Sequence, residues 1–202
     1  MPTDLSVRVA LPLKVARLIS DILNPAAVSA PVFAVLSWHT AESLPDRVEA
    51  AAVSVFFSSV IPSVYVGYLR VKGIITDVYI PDRSQRTSPL VVGTTSYLIG
   101  LLILLLLRAP RTVSGLMLSY AANTMVLLFV TRRWKISIHT MGVSGPVAAL
   151  LMIYGAEALP FFALLLAICW ARMKLGVHAL PEVVAGGLVG LTLTPLLLSL
   201  FI

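Results

Sequence analysis

The chain is 202 residues long, 58% hydrophobic and only 12% charged, with a mean hydropathy of +0.96 and a formal charge of +6. These values exclude an ordinary soluble domain, and the 202 residues are expected to form one domain, with nothing to suggest a separate soluble module. The positive charge does not point to nucleic acid, because the basic residues cluster at the ends of apolar runs, as membrane topology and anionic headgroups require.

In chain order, Leu5 to Ile22 mixes apolar residues with Arg8, Lys14 and Arg17. It reads as a helix lying in the membrane interface and interrupted near Pro12, so residues 1–22 form an N-terminal interfacial segment. No cleavable leader is expected, since the first apolar run starts late and lacks a small-residue exit. A bilayer span needs about 20 apolar residues. By that ruler seven spans are predicted within 23–202, over 23–38, 48–68, 89–107, 112–131, 137–154, 159–174 and 179–201. The first is short and holds Pro25 and Pro31, so the expected fold is an all-α, polytopic membrane bundle of six or seven transmembrane helices. The longest polar connection, Arg70 to Ser88, contains Pro81, and Pro89 follows directly. Neither proline suits a helix running straight through this region.

Parity places three polar segments at one end of the bundle. These are the loop with Arg83 and Arg86, the segment Ser137-Ile138-His139, and the turn from Arg172 to His178. Deleting the weak first span changes every count by one and leaves the three together. Of the 15 Lys and Arg residues, 12 fall at that end, and only Arg47, Arg108 and Arg111 at the other. The positive-inside rule then puts the polar end in the cytoplasm.

These segments hold the chemistry, since ionisable groups in a membrane chain are costly and kept for a purpose. Arg172, His178 and Glu182 form an R-x5-H-x3-E run. A carboxylate that accepts from one imidazole nitrogen fixes the tautomer and frees the other to attack phosphorus. Pro181 suits a first helical turn, so the last span is expected to begin near Leu180, with Glu182 leaning back toward His178. Gly176 is expected to end the preceding helix. His139 is a candidate general acid for the leaving oxygen, and Ser137 a hydrogen-bond donor to phosphate. Arg172, Arg83 and Arg86, with Lys135, supply a cationic clamp, for which arginine's planar fork is well shaped.

In these residues the chain resembles the type 2 phosphatidic acid phosphatase (PAP2) superfamily, whose members carry K-x6-R-P, then P-S-G-H, then S-R-x5-H-x3-D. The third motif is met at Arg172 and His178, with Glu182 for Asp and Ala171 for Ser. The second is met at Ser137 and His139, with Ile136 and Ile138 for Pro and Gly. The first is degraded: the stretch from Pro81 to Pro89 offers Arg83 and Arg86 but no lysine seven residues before either. The resemblance covers roughly residues 70–190 and implies a helical bundle, a phosphohistidine on His178, His139 as acid, and hydrolysis of a lipid phosphate or polyprenyl diphosphate without metal or other cofactor.

Each residue also has a plainer role. His178 with Glu182 can be an interfacial pair, His139 an interfacial histidine beside Arg132 and Arg133, and Arg83 and Arg86 topology determinants. A non-catalytic binding or transport protein and a metal enzyme using His139, His178 and Glu182 are the competing classes. His39 reads as an interface residue, Cys169 as a small buried hydrophobe, and Gly186 and Gly190 as a packing seam. Asp77 and Asp82 form a D-x4-D with no second aspartate-rich loop, which is weak support for a diphosphate-bound Mg²⁺.

Overall fold

The computed structural model describes residues 4–77, 80 and 82–202; Pro81 lies outside them, as does the side chain of Arg8. Among the described residues the regular structure is entirely helical: α1 (Asp4–Ile22), α2 (Pro25–Thr40), α3 (Leu44–Val55), α4 (Ile61–Val71), α5 (Thr87–Leu106), α6 (Arg111–Thr131), α7 (Ile138–Tyr154), α8 (Phe162–Lys174) and α9 (Leu180–Leu198). Five helical runs are long and apolar enough to cross a membrane, and the bent pair of α1 and α2 makes a sixth if it counts as one.

The predicted break at Pro12 does not occur, and α1 runs through it. An internal proline costs one backbone hydrogen bond, and the chain bends elsewhere. The bend of 46° falls between Ile22 and Pro25. There Asn24 caps α2 by accepting from Ala27 N at 2.9 Å, and Pro25 occupies the first turn, where its missing N–H costs nothing.

Helices α3 and α4 form one 28-residue run through a π-turn at Phe56–Val60. Pro62 cannot bond back to Ser58, and the freed carbonyls find hydroxyls on neighbouring helices. Ser96 donates to Phe57 O at 2.6 Å and Ser29 to Ser58 O at 3.4 Å. Such repair is what a bilayer demands of an irregular helix.

The longest apolar run, Ile138–Lys174, is 37 residues. Laid straight it would extend about 55 Å. Instead Lys135 Nζ, before its start, donates to Val177 O, beyond its end, at 2.9 Å. The run is therefore a hairpin, turned by the 3-10 segment Gly155–Phe161, in which Gly155 has φ 61° and Pro160 follows. This is where the sequence separates its fifth and sixth predicted spans.

Helices α7 and α9 pack side by side and run parallel. A Cβ on Gly186 would stand 2.5 Å from Ser137 O, and one on Gly190 would collide with Ser144 Oγ and lie 2.7 Å from Gly145 N. The predicted glycine seam is thus the contact face of the two helices that carry His139 and Glu182. At the far end of the bundle, His39 packs against Tyr154 with ring centroids 5.0 Å apart, away from the other histidines.

Candidate active site

Gly176, at φ 66°, ends α8: its N–H donates to Met173 O at 2.9 Å, and Val177 N donates to Arg172 O at 3.3 Å. A left-handed residue followed by backward bonds of this kind is the usual glycine stop. The chain then turns within a few residues into α9, which starts at Leu180 with Pro181 in its first turn. One helical turn thus separates His178 from Glu182, and His178 Nδ1 lies 2.7 Å from Glu182 Oε2. The same oxygen accepts from Ala179 N at 3.2 Å. With the carboxylate accepting a hydrogen bond from Nδ1–H, the Nε2 lone pair is the one left for chemistry.

Burial pushes the His178 pKa down to about 4, and the charges of Arg172, Arg86 and Lys135 push the same way, against the hydrogen bond that His178 donates to Glu182. A histidine so placed is neutral at pH 7 and able to attack.

The second segment joins this turn directly. Ser137 N donates to Glu182 O at 3.0 Å, tying the start of α7 to the start of α9. Ser137 is fully buried and caps α7, its hydroxyl accepting from Thr140 N at 3.3 Å. Its oxygen is engaged in the cap, while its O–H remains a donor. His139, two residues on, is buried and within electrostatic reach of His178, Arg172 and Arg86. Lys135 is half-buried; burial lowers its pKa first, and the neighbouring Arg86 charge adds to this.

The third segment divides. Arg86 is 1% exposed, and its guanidinium donates to Ile80 O at 2.9 Å and to Ile136 O at 3.2 Å. Those carbonyls hold it beside the start of α7. Arg83, three residues earlier, is exposed and donates to Arg133 O at 3.0 Å. It stays at the rim and does not join the buried group. Asp82 is exposed as well, and hydrogen bonds from Ser84 hold its carboxyl below the usual range.

Arg172 is also 1% exposed. It donates to Ser20 Oγ at 2.8 Å, and Asp77 lies near enough for its charge to act on the guanidinium. Neither Ser20 nor Asp77 is among the predicted site residues. Ser20 sits 152 positions away on a helix with no motif, so nothing in the sequence marks it, whereas Asp77 was visible as a carboxylate in the polar loop.

Arg86, Arg172 and Lys135 together outnumber Glu182 and Asp77. Burying like charges near one another is costly unless an anion joins them, and two arginine forks favour one with several oxygens. Among the described residues no three His, Cys, Asp or Glu side chains converge to hold a metal ion.

A cavity of about 390 Å³ leads away from this cluster between α2, α4, α5, α6 and α7. Arg86, Ile80 and His139 line one end, and Tyr97, Tyr120 and Asn123 the other. Its remaining wall is largely proline, glycine and aliphatic side chains; His178 and Glu182 do not line it. His139 therefore stands between the cavity and the His178–Glu182 pair. No family model, no curated protein and no solved structure matches this chain.

Proposed function

We propose that this protein is an integral-membrane phosphatase of the PAP2 type that cleaves a lipid phosphate or polyprenyl diphosphate through a phosphohistidine. One observation carries the reading. Three polar segments far apart in the chain meet around His178, whose Nδ1 is held 2.7 Å from Glu182, with buried Arg86, Arg172 and His139 beside it. The several helical runs long and apolar enough to cross a bilayer support the membrane setting. The 12-to-3 excess of basic residues at the polar end favours a cytoplasmic site.

In this mechanism Arg86 and Arg172 bind the phosphoryl oxygens, aided by Lys135 and the Ser137 hydroxyl. The His178 Nε2 lone pair attacks phosphorus, the P–O bond to the lipid breaks, and the leaving oxygen takes a proton from His139. Water then attacks the phosphohistidine, His139 accepts its proton, and the P–N bond returns its electrons to Nε2. Glu182 holds the imidazolium that forms when His178 is phosphorylated. The apolar cavity keeps the tail of the substrate in a bilayer-like medium while the headgroup reacts at the surface. An alcohol in place of water would make the same steps a phosphoryl transfer.

The test is phosphate release by the purified protein from a panel of lipid phosphates and polyprenyl diphosphates, with and without EDTA. Release that persists in chelator is expected. Loss in chelator points instead to a metal enzyme, and no release from any substrate to a non-catalytic binding protein.

A further inference from the structure

Residues 1–22 read from sequence as an interfacial segment apart from the chemistry, yet in the fold one of them reaches the buried cations. Ser20, near the end of α1, accepts a hydrogen bond from an Arg172 guanidinium nitrogen at 2.8 Å. Both residues are at most 1% exposed, and 152 positions separate them.

Packing delivers this contact. Ile19, Ser20 and Leu23 lie within one turn of each other and share one face at the end of α1. Ile19 and Leu23 belong to one apolar cluster with Leu165 and Ile168 of α8. Leu165, Ile168 and Arg172 are spaced by three and then four, so the stripe of α8 in that cluster ends at the guanidinium. Ser20 puts a hydroxyl where its neighbours on α1 present aliphatic groups.

A hydroxyl is what this position needs. Arg86 repels the Arg172 guanidinium and Asp77 attracts it, but charge interactions vary smoothly with distance and set no angle. A hydrogen bond does set one. Ser20 supplies it without adding charge, so it does not compete with a phosphoryl group for the arginine. A carboxylate at the same place would.

We infer that Ser20 is a positioning residue of the active site, and that α1 completes the phosphate clamp by fixing the plane of the Arg172 guanidinium. The inference rests on the phosphatase reading. It adds a fourth segment to the three polar ones and gives a role to a residue outside all three motifs. A planar fork held at a fixed angle can pair with two phosphoryl oxygens at once. One left to rotate must be ordered again with each substrate.

The experiment uses the full chain in lipid nanodiscs and compares wild type with Ser20→Ala and with Ile19→Val, a packing control on the same face. Three quantities are read: kcat/KM per folded protein for the lipid cleaved fastest in the panel above, the melting temperature, and its rise with inorganic phosphate. Ser20→Ala is expected to lower kcat/KM about three- to tenfold, the value of one net hydrogen bond. About three to ten times more phosphate should be needed for the same rise in melting temperature. Ile19→Val removes one methylene from the cluster and is expected to lower the melting temperature, with kcat/KM and the phosphate response within about twofold of wild type. A wild-type kcat/KM and phosphate response in Ser20→Ala would overturn the inference and leave the phosphatase reading standing. Equal losses in Ile19→Val would also overturn it, because α1 would then act through packing alone. No phosphate release from any lipid by wild type would overturn the phosphatase reading, and the inference with it.

Discussion

The turn that carries His178 and the turn that carries Arg83 and Arg86 sit at the same end of the bundle and are built by different rules. The first is made from neighbours. Gly176 stops α8, Pro181 starts α9, and one helical turn brings Glu182 to His178. The second is a short 3-10 turn whose two arginines go opposite ways, one into the protein and one to its rim. What separates them is set by distant partners: Arg86, besides the carbonyl of Ile80 six residues before it, meets that of Ile136, and Arg83 that of Arg133. A pair within one helical turn is set by local geometry, whereas an arginine in an irregular loop is set by whichever carbonyls the fold delivers.

The comparison can be broken most severely at the first turn. His178→Ala removes the proposed nucleophile and is expected to lower phosphate release by on the order of 10⁴-fold or more. Glu182→Gln keeps the shape but loses the tautomer lock, with a measurable remainder about 10²- to 10⁴-fold below wild type. A wild-type rate in His178→Ala would remove the nucleophile assignment.

At the second turn the two arginines should separate. Arg86→Ala takes away a buried guanidinium proposed to bind the phosphoryl group and is expected to lower kcat/KM by about 10- to 100-fold, equivalent to about one charge-assisted bond. Steady-state kinetics on one lipid phosphate measure this, and an unchanged value would return Arg86 to a purely structural role.

The pH profile sharpens the first turn further. Because burial lowers the His178 pKa to about 4, the neutral, attacking form persists well below the 6.5 of a free histidine. The acid limb of kcat/KM, which reports the free enzyme, should therefore fall near pH 4 and not near 6.5. At pH 5.5 an ordinary histidine would already have lost about tenfold of its neutral form, and little loss is expected here. Glu182→Gln removes the group that raises this pKa and should move the limb lower still. A limb at 6.5 in wild type would mean that His178 is open to solvent.

The smallest effect belongs to Arg83→Ala. With its side chain exposed and bonded to Arg133 O, its loss is expected to change kcat/KM by less than about twofold, in line with surface contacts generally. A loss matching that of Arg86→Ala would show that both arginines bind phosphate.

The sequence by itself determined what depends on spacing within a few residues and on hydropathy along the chain. Those are the apolar runs, the helix ends at Gly176 and Pro181, the His178–Glu182 pair, and the parity that brings three polar segments to one end. Local backbone geometry and the bilayer's intolerance of bare polar groups leave little freedom there. The tertiary structure alone decided which arginine is buried, that Ser20 holds Arg172, and that a cavity lined by Tyr120 and Asn123 lies below His139. Each of these depends on which surfaces of distant helices face one another, through contacts made 50 to 152 residues apart at the site, and no periodicity within a single helix encodes them.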